Sequence, residues 1–252
     1  MLNLNRREYI QSQLARNHRV SVSELSEALE VSDETIRRDL NEFEAEGLLR
    51  RVYGGAIPAT PIRDKPVDQR DKMQNKEKEV IAKLAREQIA DNTMIFLDTG
   101  TTTLELARRL TNFSNLNVYT NSLKVALAAA EHQGVNVNLT PGRVRTQDQD
   151  VVGSDTIMFI QRFYFDIAFM GIVGIDADRG FMDYEENAAR IRETLIKSAR
   201  LPVFLADSGK FGKTANVQTA TFEASVQVIT DQEPSKEFLD IFADSKVSIL
   251  YA

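Results

Sequence analysis

"SDETIRRDL", Ser32 to Leu40, decides how the first part of this chain is read. Ser32 is a helix N-cap residue, because a serine hydroxyl accepts from a first-turn amide that has no other partner. Ile36 and Leu40, with Phe43 just beyond, follow the i, i+4, i+7 rule and predict one apolar stripe along a helix. At about 100° per residue, Glu34, Arg38 and Asn41 point most directly away from that stripe, with Thr35 and Arg37 flanking them. Two arginines therefore stand on the wet side of a helix near its start.

The flanks supply a context. Residues 3–17 carry Ile10 and Leu14 at helical spacing. "SVSELSEAL" has Ser21 as N-cap and Glu24 three residues later, a capping box, with Val22, Leu25, Ala28 and Leu29 on one face. A short turn, "EVS", leads to Ser32. Beyond the third helix, "GLLRRVYGGAI" is β-prone, broken by Gly54-Gly55, and reads as a small hairpin or wing bearing Arg50 and Arg51. Three short helices and a Gly-Gly wing predict a winged helix-turn-helix whose third helix enters the major groove. There an arginine forks onto guanine O6/N7 or onto phosphate, Glu34 accepts from cytosine N4, and wing arginines neutralise backbone phosphates. The plainer reading of Arg37-Arg38 is a solvated charged face. The order of capped helix, tight turn, capped helix and wing favours DNA.

Composition narrows the classes. A net charge of −6 excludes a wholesale basic coat. In residues 1–57 every Lys or Arg is arginine, eight of them against ten acids, so a DNA reading rests on placement. With no cysteine there is no disulfide, no Cys-ligated zinc and no thiol catalysis. His18 and His132 lie far apart without metal-ligand spacing. Neither a metal nor a cofactor is expected. No charged-then-apolar leader is seen, and the longest apolar run, "IAFMGIVGI", is too short to cross a bilayer, so a soluble cytoplasmic protein without membrane association is expected.

Pro58, Pro61 and Pro66 fall in a polar stretch reaching about Asn75, which reads as a linker over 58–75 between a domain of residues 1–57 and one of 76–252. From Lys76 helical patterns alternate with short apolar runs: "TMIFLDTG", "NVYTNS", "VNLTPG", "DIAFMGIVGID", "PVFLADSGK", "VQVITD" and "VSILYA". Such a pattern predicts an α/β domain with buried parallel strands. Polar and glycine residues follow strand after strand, and in an open parallel sheet those carboxyl ends form one ligand-binding crevice. Asp98-Thr99-Gly100-Thr101-Thr102-Thr103 leads into the helix "LELARRL", offering backbone N–H groups to an anion such as phosphate, or else forming a plain threonine-rich N-cap. Thr120-Asn121-Ser122 repeats the arrangement at the next strand, and Lys210 supplies a cation.

These motifs resemble the DeoR family of bacterial transcriptional regulators over the whole chain. Arg6 through "SDETIRRDL" matches its DNA-binding signature, and "RRVYGGA" its wing, with Tyr53 where many members have His. "DTGTTT", "TNS", "PGR", "MGIVGID" and "DSGKFG" match the order of motifs in its effector domain, most like the glycerol-3-phosphate repressor branch. That domain resembles ribose-5-phosphate isomerase and related sugar-phosphate folds, which implies a phosphorylated sugar or polyol as effector. By this resemblance Arg6, Ser32, Glu34, Thr35, Arg37, Arg38, Asn41, Arg50, Arg51 and Tyr53 face DNA. Asp98, Gly100, Thr101, Thr102, Thr103, Thr120, Asn121, Ser122, Gly142, Gly171, Asp176 and Lys210 line the effector site. "DYEENAARIRE" offers Asn187 and Arg192 where relatives place an acid and a Lys or Arg; Glu185 and Glu186 receive no role.

The resulting expectation is a repressor of a carbohydrate or polyol catabolic operon, binding double-stranded operator DNA under effector control. One winged domain covers too little DNA to select a genomic site, so a homo-oligomer is expected. Two readings compete. A sugar-phosphate isomerase or deaminase would use Asp98 or an acid near Glu185 as base and Lys210 as stabiliser. An architectural DNA-binding protein would leave the crevice motifs idle. The first 57 residues discriminate against the enzyme.

Overall fold

Ser21 and Ser32 both cap helices in the computed structural model, which describes residues 3–17, 19–46, 48–58 and 75–252. The chain divides into two compact units, Met1–Arg63 and Asp64–Ala252. His18 and residues 59–74 of the expected linker lie outside the described residues.

The first unit runs α1 (Asn3–Asn17), β1 (Val20–Ser21), α2 (Val22–Leu29), α3 (Asp33–Ala45), β2 (Leu49–Val52) and β3 (Gly55–Pro58). The Glu24 amide donates to Ser21 Oγ at 3.1 Å and the Thr35 amide to Ser32 Oγ at 3.3 Å. The α3 stripe of Ile36, Leu40 and Phe43 is buried against Ile10, Val22, Leu25 and Leu29. Strands β2 and β3 form the wing, joined by Tyr53-Gly54 with Val52 opposite Gly55. Gly54 has φ +76°, which favours glycine. The sequence reading did not include β1, which pairs antiparallel with β3. That pairing explains Gly55: a Cβ there would lie 1.9 Å from the Val20 carbonyl oxygen.

The second unit begins with α4 (Asn75–Glu87) and β4 (Met94–Leu97), α5 (Thr101–Ala107), β5 (Leu116–Thr120), α6 (Leu123–Ala130) and β6 (Val135–Leu139). A hairpin of β7 (Arg143–Arg145) and β8 (Asp150–Val152) precedes α7 (Ser154–Ile160) and β9 (Phe165–Gly171). Then come β10 (Gly174–Asp176), β11 (Gly180–Asp183), α8 (Glu186–Lys197) and β12 (Ala199–Leu205). After a short 3-10 turn, Ser208–Lys210, the chain closes with β13 (Val217–Ala220), β14 (Val226–Ile229), α9 (Lys236–Ala243) and β15 (Val247–Leu250).

Seven strands form a parallel sheet in the order β15-β14-β12-β9-β4-β5-β6. All seven apolar runs picked from the sequence contribute a strand to it. Alternation puts Ile95, Leu97, Ile167, Phe169, Val203 and Leu205 on one face, under α4, α5 and α6. Phe96, Ala168, Met170 and Phe204 lie on the other, under α7, α8 and α9. Both faces are covered, as a parallel sheet requires. One run proves to be two strands: "DIAFMGIVGID" supplies β9 to the large sheet and β10 to an antiparallel sheet with β11 and β13. The chain winds outward from β4 in one direction and from β9 in the other, so the topological switch point lies between these neighbours.

Candidate functional site

On the first unit, Glu34, Arg37, Arg38 and Asn41 are exposed along the outer face of α3, and Ser32 and Thr35 sit at its start, their hydroxyls 2.9 Å apart. Arg37 lies 3.7 Å from Asp33 and 3.8 Å from Glu34. Arg50 is exposed on β2, and Tyr53 is fully exposed at the wing tip. These groups give the unit one edge of mixed donors and acceptors.

Two arginines depart from expectation. Arg6 is not on the exposed face: its guanidinium is buried and donates from Nε to Asp39 Oδ2 at 2.5 Å and from Nη2 to Oδ1 at 3.0 Å. Its hydrogen bond to Asp39 raises its pKa further, against the opposing effect of burial. Arg6 therefore anchors α3 to α1. Helical periodicity puts Asp39 beside Ile36, Leu40 and Phe43 on the buried side, a signal that a buried partner was needed. Arg51 is half-buried, and its Nη1 donates to the Arg37 carbonyl oxygen at 3.2 Å and to Asn41 Oδ1. It ties the wing to α3 where a free phosphate contact was expected.

In the second unit the Asp98–Thr103 segment follows β4 at the switch point and opens α5. The Asp98 amide donates to the Phe169 carbonyl at 2.9 Å, and a Cβ placed on Gly171 would lie 3.6 Å from the Thr99 carbonyl oxygen. The ends of β4 and β9 thus meet. The Thr99 amide donates to Asn121 Oδ1 at 3.0 Å, which joins the loop after β5 to the same crevice. Ser122 caps α6, its Oγ accepting from the Val125 amide at 3.4 Å, and Thr120 Oγ1 accepts from the Ser122 amide at 3.0 Å. Thr103 Oγ1 donates to the Gly100 carbonyl at 3.0 Å. Asp98, Thr101, Thr102, Thr103, Thr120, Asn121 and Ser122 are all buried. Lys210, half-exposed after β12, has no ion-pair partner among the described residues.

Two expected lining residues have other duties. Asp176 ends β10, and its Oδ1 accepts from the amides of Asp178 and Arg179 at 3.0 Å each, so this carboxylate shapes a hairpin turn. Gly142 has φ +142°, and a Cβ there would fall 2.8 Å from the Val152 carbonyl oxygen, so its backbone packs on the β8–α7 corner.

Further charged groups cluster near the same strand ends. Arg192 of α8 donates from Nε to Asp98 Oδ2 at 2.7 Å and from Nη1 to Asp183 Oδ2, all three side chains being buried. Asp183 Oδ1 accepts from the Tyr184 and Glu185 amides, fixing the turn into α8. Arg145 grips Asp150 with two bonds, 2.9 and 2.7 Å, and approaches Glu185 at 3.8 Å. Burial works against the Arg145 charge, but the hydrogen bonds and charge of Asp150 outweigh it and hold the guanidinium above its usual value. The backbone at Asp150 also pairs antiparallel with that at Ser122. Glu186 pairs with Arg190 on the exposed side of α8, and Asn187 is half-buried in its first turn. Finally, Thr99 Oγ1 and Thr140 Oγ1, just past the ends of β4 and β6, are buried without a hydrogen-bond partner among the described residues.

Among the described residues no group of His, Asp and Glu is placed to hold a metal ion, and no helix is long and apolar enough to cross a membrane.

Comparison with known proteins agrees with both halves. Residues 6–61 match the "DeoR-like helix-turn-helix domain" and residues 73–232 the "DeoR C terminal sensor domain". The chain is 34% identical over 230 residues to a glycerol-3-phosphate regulon repressor of Escherichia coli (strain K12), covering 91% of each. It is 31% identical over 248 residues to a putative aga operon transcriptional repressor of Escherichia coli O157:H7, covering 97% of this chain and 92% of that one. Among solved structures, a ribose 5-phosphate isomerase from Methanocaldococcus jannaschii aligns with 54% of each chain at 17% identity and a TM-score of 0.40.

Proposed function

From the premise that this chain belongs to the DeoR family of transcriptional regulators, we propose that it represses a carbohydrate or polyol catabolic operon and that a phosphorylated sugar or polyol in the sensor unit sets its operator affinity. The helix-turn-helix implies DNA as partner and the sensor domain a small-molecule effector. The family is one of regulators, so the competing reading of an isomerase or deaminase falls away. In this proposal the working form is a cytoplasmic homo-oligomer, with residues 1–57 reading DNA and 76–252 sensing and assembling.

One observation carries the choice of effector. Buried hydroxyls are ordinarily hydrogen-bonded, yet those of Thr99, within the threonine-rich loop at the switch point, and of Thr140, whose amide donates to the Thr120 carbonyl oxygen at the end of β5, are not. A ligand with several hydroxyls would satisfy the orphaned groups, and a phosphate suits the loop amides and Lys210. Asp98 and Asp183, which share the single guanidinium of Arg192, add acceptors for sugar hydroxyls, and Lys210 supplies the further positive charge that a phosphate needs.

The test is a thermal-shift screen of the full chain against phosphorylated sugars and polyols, with their unphosphorylated parents as controls. A specific ligand at 100 times its Kd adds about 2.7 kcal/mol of stability. Stabilisation by phosphorylated compounds alone is expected. Equal stabilisation by the parents, or none by any member, overturns the effector assignment and leaves the family standing.

A further inference from the structure

We infer that Arg51 fixes Asn41 as a donor-only group toward DNA, so that Asn41 meets a hydrogen-bond acceptor on the duplex and does not make the paired contact by which asparagine reads adenine. The inference rests on the reading that the outer face of α3 meets DNA.

Arg51 joins the wing to α3 through three bonds and braces the wing itself through a fourth, to Gly55. Its Nη1 donates to the Arg37 carbonyl oxygen at 3.2 Å and to Asn41 Oδ1, its Nε to the Gly55 carbonyl at 3.3 Å, and its backbone amide to Glu44 Oε1 at 2.7 Å. A guanidinium has five donors and no acceptor. The Asn41 amide atom turned toward it must therefore be the oxygen, because the NH₂ group would set donor against donor. Nδ2 is then left on the exposed side of α3, the side that carries Glu34 and Arg38.

An unrestrained asparagine recognises adenine in the major groove with both ends of its amide, Oδ1 accepting from N6–H and Nδ2 donating to N7. Here Oδ1 points to β2. It keeps a second lone pair, but an adenine amine approaching that side would meet the N–H donors of Arg51. What remains is a pair of N–H groups, and these suit guanine O6 and N7 or a phosphate oxygen. Arg51 is thus a positioning residue: it acts on DNA through the orientation of Asn41.

The experiment selects bound sequences from a pool of randomised duplexes with the full chain, comparing wild type, Asn41→Ala, Asn41→Asp and Arg51→Met, and measures affinities by anisotropy. On a guanine contact, the position relaxed by Asn41→Ala favours guanine over adenine by about tenfold in wild type. Arg51→Met then raises adenine there. Asn41→Asp keeps the side-chain shape and the acceptor for Arg51 but turns an acceptor outward, and it moves the preference from guanine to a base bearing an amine. On a phosphate contact no position relaxes; Asn41→Ala weakens all sequences several-fold and Asn41→Asp weakens them further. Either pattern supports the inference. Adenine selected in wild type at the position that Asn41→Ala relaxes overturns it, as does an Asn41→Asp variant with unchanged affinity and preference, whether or not Arg51→Met folds. A wild-type chain that enriches no sequence at all overturns the DNA-reading premise instead, a result distinguishable from either.

Discussion

Arg192 on α8 reaches Asp98 at the end of β4, 94 residues away in sequence, and in the same grip holds Asp183 at the end of β11. One guanidinium thereby ties the loop at the switch point to the turn that starts α8. Removing it leaves two buried carboxylates without a counter-charge. Arg192→Ala is expected to destabilise the second unit by about 3–5 kcal/mol, the usual cost of breaking a buried ion pair from one side. Chemical denaturation followed by circular dichroism measures this. A loss under ~1 kcal/mol would mean that solvent already reaches the carboxylates.

Arg6 makes a parallel case in the first unit. Arg6→Ala should unfold that unit more readily by about 3–5 kcal/mol, since Asp39 is left buried and unpaired. The double substitution Arg6→Met/Asp39→Leu separates anchoring from DNA contact: replacing both members by apolar groups of similar volume is commonly tolerated. Near-normal stability and operator affinity in the double variant are expected. Near-normal stability with operator affinity lost would return Arg6 to the DNA surface.

These two ion pairs also mark the limit of what the sequence discloses. Hydrophobic periodicity found α3 and its stripe of Ile36, Leu40 and Phe43, and short apolar runs ending in polar or glycine residues found the seven parallel strands, because both signals are local. Capping did the same for Ser21 and Ser32. The Arg6–Asp39 and Asp98–Arg192–Asp183 contacts are set by which surfaces meet after folding: periodicity marks Asp39 as buried, but nothing in one sequence names a partner 33 or 94 residues away. The short strands β7, β8, β11 and β13 escaped notice for a related reason. Each spans three or four residues, too few for alternation to register, and they pair among themselves rather than with the main sheet. Asp176 has a local duty that the motif match did not disclose: its carboxylate closes its own hairpin.

Arg38 is the exposed arginine of α3 that points most directly outward, and the local caps hold the helix without it. Arg38→Ala should leave melting unchanged and cost about 1–3 kcal/mol in specific operator binding, the value of a forked base contact. Arg50→Ala on the wing should instead weaken all sequences alike and reduce the salt dependence by about one phosphate. Anisotropy titrations at several salt concentrations, on operator and scrambled duplex, distinguish the two. Equal weakening on both duplexes for Arg38→Ala would place it on the phosphate backbone.

The last prediction concerns coupling between the units. If the Asp98–Thr103 loop and Lys210 share one anion, Thr102→Ala with Lys210→Ala removes a hydroxyl donor and the cation from a single site. Effector binding should then fall by 100-fold or more, about 2.7 kcal/mol. Operator binding without effector should persist, because neither residue belongs to the DNA-reading unit. Linkage makes the comparison reciprocal: a ligand that changes operator affinity has its own affinity changed by the same factor when operator is present, typically 1–3 kcal/mol. Operator titrations of wild type and double variant, each with and without the ligand identified by thermal shift, measure all the necessary terms. Wild-type affinity should move with ligand while the double variant stays at its ligand-free value. A double variant that still responds as wild type does would remove the anion from the switch-point loop. A ligand that binds wild type tightly but leaves operator affinity unchanged would sever sensing from DNA control, since equal affinity for the free and DNA-bound forms shifts no equilibrium.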